Sequence, residues 1–238
     1  MTLDAAWRLA CQRIARLDAR LLLEHVTACT HADLIAHPTR MLSAEQLARL
    51  NTLVSRRAEG EPLAYLVGSA EFYGLEFFVT PAVLIPRPET ELLIDLATEH
   101  LQSLPHAQIL DLGTGSGVLA VTLARLCRGA SVTAVDLSSA ALAVAGGNAA
   151  RHAVEVSFLL GDWYAPLGES CFDLIVANPP YVAYADPHLQ RSGLPFEPRM
   201  ALTDGVVGGD GLACLRAIIG GAAAHLRPGG CVLVEHGY

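Results

Sequence analysis

The segment Asn178-Pro179-Pro180-Tyr181 carries residue types that could bring a poorly nucleophilic nitrogen into reaction. It follows the apolar run 172–177, which we interpret as a buried strand. The Asn178 side-chain oxygen and the Pro179 carbonyl could accept hydrogen bonds from one NH2 group, and Tyr181 could stack on its plane. Alone, two prolines after a strand could also be only a rigid turn. The motif favours group transfer to an amide or exocyclic amine nitrogen, helped mainly by orientation.

A glycine-rich turn lies earlier in the chain, where residues 108–117 read Q-I-L-D-L-G-T-G-S-G. Glycine lets the backbone turn sharply and approach a ligand closely. The next apolar run ends in Asp136, whose carboxylate could accept both ribose hydroxyls of a nucleoside. The G-x-G-x-G spacing is one residue shorter than the dinucleotide pattern, and Asp111 suits a cationic ligand better than a pyrophosphate. The expected cofactor residues here are Asp111, Gly113, Thr114, Gly115, Ser116, Gly117 and Asp136.

Two further candidates follow the third apolar run, in the sequence L-L-G-D-W. Asp162 could accept a hydrogen bond from an adenine amino group, and Trp163 could cover the adenine ring. Trp163 could equally be an ordinary core residue. A nucleoside site therefore does not depend on these two residues alone.

A parallel sheet is the element that would bring these residues together. The predicted strands are the apolar runs 108–112, 131–135, 156–160, 172–177 and 231–235, and the predicted helices between them are 118–127, 138–151 and 210–226. This alternation is typical of an α/β fold of Rossmann-like type, with helices on both faces of the sheet. Ligands of such sheets bind beyond the carboxyl ends of the strands, where each candidate segment begins.

The first quarter of the chain has a different pattern. Residues 1–63 have helical periodicity, and Ser43 with Gln46 predicts a capping box at a helix start. Residues 64–86 are rich in β-formers and glycine, which indicates a β-hairpin linker. We expect an N-terminal helical domain over 1–63, this linker, and an α/β domain over 87–238.

Composition excludes several classes of protein. The formal net charge is −8, and no basic cluster exceeds Arg56-Arg57, which argues against nucleic acid as a direct partner. No apolar run approaches the length of a membrane span, and the charged N-terminus does not resemble a signal peptide. The six cysteines form no C-x-x-C pair, and no zinc motif is present. We therefore expect a cytoplasmic protein with no metal and no membrane partner.

Taken together, the motifs give a more specific resemblance. D-L-G-T-G-S-G resembles the first motif of S-adenosylmethionine-dependent methyltransferases. N-P-P-Y is shared with nucleobase amino methyltransferases, so it leaves the substrate open. The helical N-terminus and L-I-P-R-P-E-T-E at 84–91 are more restricted, and with them the chain resembles the HemK/PrmC family of release factor glutamine-N5 methyltransferases. Further matching segments are 56–66, E-F-Y-G-L, F-E-P at 196–198, D-G at 210–211 and L-V-E-H-G-Y at 233–238.

This resemblance implies S-adenosyl-L-methionine as the cofactor and the glutamine of the Gly-Gly-Gln loop of class 1 peptide-chain release factors as the substrate. Asn178 would also lie beside the cofactor, and the N-terminal helices would grip the release factor. The residues implied to hold the glutamine are Asn178, Pro179, Pro180 and Tyr181, and Arg87 and Glu197 would shape the pocket. Arg87 and Glu197 could instead be ordinary surface charges.

One departure concerns the end of the sheet. Family members carry two strands beyond the one predicted at 231–235, so the expected sheet lacks these C-terminal strands. Two other interpretations of the sequence stay open. One is methylation of an exocyclic amine in DNA or RNA, and the other is a binding module without activity.

Overall fold

A computed structural model describes residues 1–191 and 193–237, and within it the chain divides into two units after Gly68. The division falls five residues beyond the boundary expected at residue 63. No helix among the described residues has both the length and the apolar character that a membrane crossing requires.

The first unit, Met1–Gly68, is entirely helical in its regular structure. Its helices are α1 (Leu3–Ala10), α2 (Arg16–Thr27), α3 (His31–Ala36), α4 (Ala44–Ala58) and α5 (Leu63–Val67). The capping box predicted for α4 is confirmed, because Ser43 and Gln46 each accept the other's backbone N–H at 3.0 Å. Buried leucines of α2 and α4, including Leu22 and Leu50, form the core of this unit.

The second unit begins with an antiparallel hairpin of β1 (Ser69–Phe72) and β2 (Leu75–Phe78). Its turn residues, Tyr73 and Gly74, both have positive φ, as a tight two-residue hairpin requires. The hairpin occupies only part of the segment expected for it, because residues 64–67 lie in α5. Phe72 and Phe77 are fully buried and pack edge to face, with ring centroids 6.2 Å apart. The hairpin is thus part of the core of the second unit.

Five parallel strands form the central sheet, as the sequence predicts. They are β3 (Gln108–Leu112), β4 (Ser131–Asp136), β5 (Ser157–Leu160), β6 (Phe172–Ala177) and β7 (Leu226–Val234), in the order β5-β4-β3-β6-β7. The chain proceeds from β3 towards one edge and then returns to the other side of β3 with β6. The boundary between β3 and β6 is therefore the topological switch point, where α/β sheets bind ligands.

Helices α6 (Glu91–Leu101), α7 (Val118–Leu126), α8 (Ser139–Arg151) and α9 (Ala213–His225) cover the sheet. Successive residues of a strand point to opposite faces, so Ile109 and Leu110 belong to two different core clusters. Ile94 of α6 packs in the Ile109 cluster, whereas Ile218 of α9 packs in the Leu110 cluster. The predicted layered α/β architecture is confirmed.

Candidate active site

A cavity of about 570 Å³ opens at the carboxyl ends of β3, β4 and β6. It is lined by eleven of the residues singled out from the sequence: Arg87, Asp111, Gly113, Thr114, Gly115, Ser116, Asp136, Asp162, Trp163, Asn178 and Pro180. Four others lie outside the lining: Gly117, Pro179, Tyr181 and Glu197. The sheet register explains the convergence, because Leu112 pairs with Ala177 and the chain then continues into Gly113 and Asn178.

The glycine turn is anchored on both sides. The backbone N–H groups of Gly113 and Thr114 both donate to the Val135 carbonyl, at 2.8 and 3.0 Å. Asn148 of α8 donates to the Ser116 carbonyl at 2.8 Å. Gly117 serves packing instead of lining the cavity. It has a φ of +83°, and a Cβ there would lie 3.0 Å from the Ala145 Cβ, so glycine lets α7 approach α8 closely.

Asp111 is 1% exposed, and one of its two carboxylate oxygens has hydrogen-bond partners whereas the other has none among the described residues. Its Oδ2 accepts from Thr114 Oγ1 at 2.6 Å and from the Ala120 N–H at 3.2 Å. Its Oδ1 is buried and has no hydrogen-bond partner among the described residues. Burial raises the pKa of Asp111 to about 7, and the charge of Asp136 adds to the shift. An unsatisfied carboxylate at a cavity wall is a site that a cation would stabilise.

Asp136, at the end of β4, is fixed by backbone donors. Its Oδ2 accepts from the Gly115 N–H and its Oδ1 from the Ser138 N–H, both at 2.8 Å. Each carboxylate oxygen can accept more than one hydrogen bond, so both can still receive a hydroxyl from the cavity side. This geometry suits a ribose diol.

Asp162 and Trp163 follow β5 and complete one side of the cavity. Trp163 has a φ of +43°, which is uncommon for a residue with a side chain. Its ring lies against Gly113, since a Cβ there would be 3.5 Å from the ring edge. The indole also packs against the Leu110 cluster, so it contributes both to the core and to the cavity wall.

Asn178 is held by residues that sequence reasoning did not assign to the site. Its Nδ2 donates to Thr90 Oγ1 at 3.0 Å, and Thr90 Oγ1 donates to Glu235 Oε2 at 2.6 Å. Tyr181 donates its hydroxyl to Glu235 Oε1 at 3.1 Å. Burial, followed by the charge of Glu235, raises the pKa of Tyr181 to about 12. Thr90 also lines the cavity, and both Thr90 and Glu235 occur in the motifs that carried the resemblance.

The rest of the N-P-P-Y segment is fixed by close backbone packing. Pro179 is buried, and Val182 donates to the Leu202 carbonyl at 3.0 Å. A Cβ on Gly211 would come within 2.7 Å of the backbone at Tyr181 and Ala183. Gly211 therefore allows the glycine-rich segment before α9 to lie directly against this loop.

Arg87 and Glu197 form an ion pair, with Nη2 and Oε1 2.6 Å apart. Glu197 is 7% exposed, and its other oxygen accepts the Ile85 N–H at 3.0 Å. Neither is an ordinary surface charge. Arg87 contributes to the cavity wall, and Glu197 links Arg87 to Ile85 in the segment before α6.

The described parts of the chain contain no group of three or more His, Cys, Asp or Glu residues that could hold a metal ion. The cavity is instead rich in single carboxylates, since Asp204 joins Asp111, Asp136 and Asp162 in its lining. Two arginines, Arg87 and Arg199, also line it. Arg199 donates to the Tyr184 carbonyl at 2.8 Å and lies over the Tyr184 ring.

Comparisons with known proteins cover both units. A family model described as the PrmC N-terminal domain matches residues 4–68, and one described as the methyltransferase small domain matches residues 89–191. The release factor glutamine methyltransferase of Bordetella pertussis is 51% identical over 231 residues, which span 97% of this chain and 84% of that protein. The protein of the same name from Burkholderia pseudomallei is 47% identical, over 98% of this chain and 84% of its own length.

A solved structure shares the fold. It is the T. thermophilus 16S rRNA N2 G1207 methyltransferase in complex with AdoMet and guanosine, with a TM-score of 0.52 and 30% identity. The match covers 70% of this chain and 40% of that one. The sheet described above is therefore a methyltransferase sheet.

Proposed function

Because the chain belongs to the family of release factor glutamine methyltransferases, we propose that it methylates the side-chain amide nitrogen of the glutamine in the Gly-Gly-Gln loop of class 1 release factors. S-adenosylmethionine is the methyl donor. The observation that carries the proposal is the position of Asn178 next to the glycine turn, in one cavity at the switch point of the sheet.

The cavity residues fit S-adenosylmethionine. The unpartnered oxygen of Asp111 suits the ammonium group, and the two fixed oxygens of Asp136 suit the ribose hydroxyls. Asp162 and Trp163 would hold the adenine ring. The proposed cofactor residues are Asp111, Gly113, Thr114, Gly115, Ser116, Asp136, Asp162, Trp163 and Asn178, with Gly117 supporting the turn from behind. When bound, the cofactor supplies a methyl group made electrophilic by the adjacent sulfonium.

The protein's contribution is to orient the amide. Asn178 Oδ1 and the Pro179 carbonyl accept the two N–H groups of the glutamine, which aims the nitrogen lone pair into the cavity. Such orientation can contribute up to about 7–11 kcal/mol. The nitrogen loses its proton only after it has become cationic, so no strong base is needed. The carboxylates of the cavity wall favour positive charge during this step.

Three other residues shape the glutamine pocket. Pro180 lines the cavity, and Tyr181 secures the loop through its bond to Glu235. Arg87, fixed by Glu197, forms part of the cavity wall, and we propose that it contacts the release factor loop. Removing Arg87 should therefore weaken release factor binding more than cofactor binding.

The N-terminal helical unit is proposed to bind the body of the release factor, away from the reacting loop. We propose no direct nucleic acid or membrane partner and a cytoplasmic location. The net charge of −8 and the ion pairing of Arg56 and Arg57 support the absence of a nucleic acid partner. Arg56 is paired with Glu61 at 2.6 Å and Arg57 with Asp18 at 2.7 Å, so neither forms a free basic surface.

The proposal is tested by incubating the full chain with labelled cofactor and one of four acceptors. These are a class 1 release factor, the same factor with its loop glutamine changed to leucine, duplex DNA and ribosomal RNA. Label on the unchanged factor alone is the expected result. Label on both factors, or on nucleic acid instead, would contradict it, and the second outcome would favour exocyclic amine methylation.

A further inference from the structure

A line of three hydrogen bonds runs from the cavity into the protein behind Asn178. It passes from Asn178 Nδ2 to Thr90 Oγ1, from Thr90 to Glu235 Oε2, and ends where Tyr181 donates to Glu235 Oε1. Asn178 and Thr90 line the cavity, whereas Glu235 and Tyr181 lie outside its lining.

The direction of each bond is fixed by the chemistry of its members. An ionised carboxylate can only accept, so the single proton of the Thr90 hydroxyl goes to Glu235. The Thr90 oxygen can then only accept from Asn178, and the NH2 half of the Asn178 amide is the half that donates. The carbonyl half, Oδ1, must face away from Thr90. With the amide turned over, Oδ1 and the Thr90 lone pairs would be two acceptors in contact.

The backbone holds these residues in register. Asn178 directly follows β6, and Glu235 directly follows β7, where its N–H donates to the Ala177 carbonyl at 3.0 Å. Thr90 is 2% exposed and immediately precedes α6. Because Thr90 is buried, water is a poor substitute for either of its two partners.

We propose that Thr90 and Glu235 are positioning residues that set the preference of the site for an amide over a carboxylate. This rests on the proposed function. With Oδ1 facing the substrate, Asn178 accepts from the NH2 group of glutamine and repels the oxygens of glutamate. With the amide turned over, its NH2 group would repel glutamine and favour glutamate. The hydroxyl and carboxylate behind Asn178 thus select the acceptor group.

The test compares Thr90→Val with Thr90→Ser in the full chain. Valine keeps the shape but cannot accept a hydrogen bond, whereas serine keeps the hydroxyl. For each protein, kcat and KM are measured with a release factor at saturating cofactor, and the Kd of S-adenosylmethionine is measured by calorimetry. The Kd values of two release factors, with glutamine or glutamate in the loop, are also measured.

Thr90→Val should lower kcat about tenfold, corresponding to roughly one lost hydrogen bond, with little change in cofactor Kd. The preference for glutamine over glutamate should shrink or reverse. Thr90→Ser should restore both. A merely structural role would not change the glutamine-to-glutamate ratio, so an unchanged ratio in Thr90→Val would overturn the inference, whether or not kcat falls.

A second pair of variants covers the case in which Thr90→Val does not fold. In Glu235→Gln the side-chain oxygen can still accept from Thr90, so kcat and the preference for glutamine should fall less than in Glu235→Leu. In Glu235→Leu the hydroxyl proton of Thr90 is free to turn towards Asn178. The kcat and the preference for glutamine over glutamate should then change as in Thr90→Val. Equal behaviour of the glutamine and leucine variants would contradict the inference. An unaltered chain that methylates no release factor would instead refute the proposed function, and the inference with it.

Discussion

Leu112, the last residue of β3, pairs with Ala177, the last residue of β6, in the parallel sheet. This pairing places the glycine turn and Asn178 side by side at the switch point. The proposed sites for the methyl donor and for the acceptor amide are therefore adjacent because of the sheet topology.

Asn178→Ala should lower kcat by about a hundredfold, because the variant loses an acceptor that orients the reacting nitrogen. The Thr90–Glu235 bond remains, so the fold should persist. Steady-state kinetics and circular dichroism would check this. Turnover close to that of the unaltered chain would remove Asn178 from the mechanism.

Asp111 should make cofactor binding depend on pH. Burial raises its pKa to about 7 in the free protein, whereas a bound ammonium favours the ionised form. Between pH 5 and about 7, binding should therefore release a proton, and affinity should increase with pH until Asp111 is ionised in the free protein.

Calorimetry at pH 6 in two buffers of different ionisation enthalpy measures that proton. Asp111→Asn is the matched control, since it keeps the shape of the side chain and cannot titrate. The variant should bind more weakly and release no proton at residue 111. Proton release that is the same in both proteins would assign it to another group.

The same carboxyl group should reduce the stability of the ligand-free protein above neutral pH. Its folded pKa of about 7 exceeds the ordinary value of 3.8, so its favourable contribution is complete below pH 4 and is lost as pH rises through 7. About three pKa units correspond to about 4 kcal/mol at most. Asp111→Asn should therefore gain stability relative to the unaltered chain between pH 5 and pH 8, as measured by urea unfolding. A constant difference would contradict the assigned pKa.

Gly117→Ala should destabilise the protein by about 2–3 kcal/mol, through backbone strain and the close contact with Ala145. Gly229 is a matched control because it has the same φ of +83°, with nothing within 4 Å of an added Cβ. Gly229→Ala should cost only about 1 kcal/mol of strain. Equal losses of unfolding free energy in the two variants would mean that the α7–α8 contact is unimportant.

Arg87→Met should leave the carboxylate of Glu197 buried beside the Ile85 N–H without its cation. Because Arg87 is partly exposed, we expect a loss of about 2 kcal/mol in the free energy of unfolding. Adding Glu197→Gln, which keeps an acceptor for Ile85, should recover part of that loss. Additive effects of the two substitutions would show that the ion pair is not coupled.

Much of the fold could be predicted because buried parallel strands appear as apolar runs, and all five runs are strands. The start of β7 could not be predicted in this way. It begins at Leu226, before Arg-Pro-Gly-Gly, because a register irregularity between Phe172 and Leu174 of β6 accommodates these residues. Such an irregularity depends on the neighbouring strand and leaves no periodic signal.

The glycine turn and Asn178 could be identified because each directly follows a strand. Thr90 and Glu235 could not, because they are 145 residues apart and their hydrogen bond exists only in the folded chain. Tyr181 was expected to stack on the amide. In the structure the Tyr181 hydroxyl donates to Glu235, and Tyr181 lies outside the cavity lining. The position of Tyr181 therefore depends on Glu235, a neighbour that the sequence did not indicate.

The most direct test of the central claim is the position of the methyl group on the product. A release factor incubated with the full chain and S-adenosylmethionine is digested, and the peptide with the Gly-Gly-Gln loop is fragmented by tandem mass spectrometry. We predict a single methyl group on the side-chain amide nitrogen of the loop glutamine, and about a hundredfold less of that product in the same time with Asn178→Ala. A methyl group on any other residue, or an unmodified loop in an otherwise methylated factor, would contradict the proposal that Asn178 and Pro179 orient the glutamine amide.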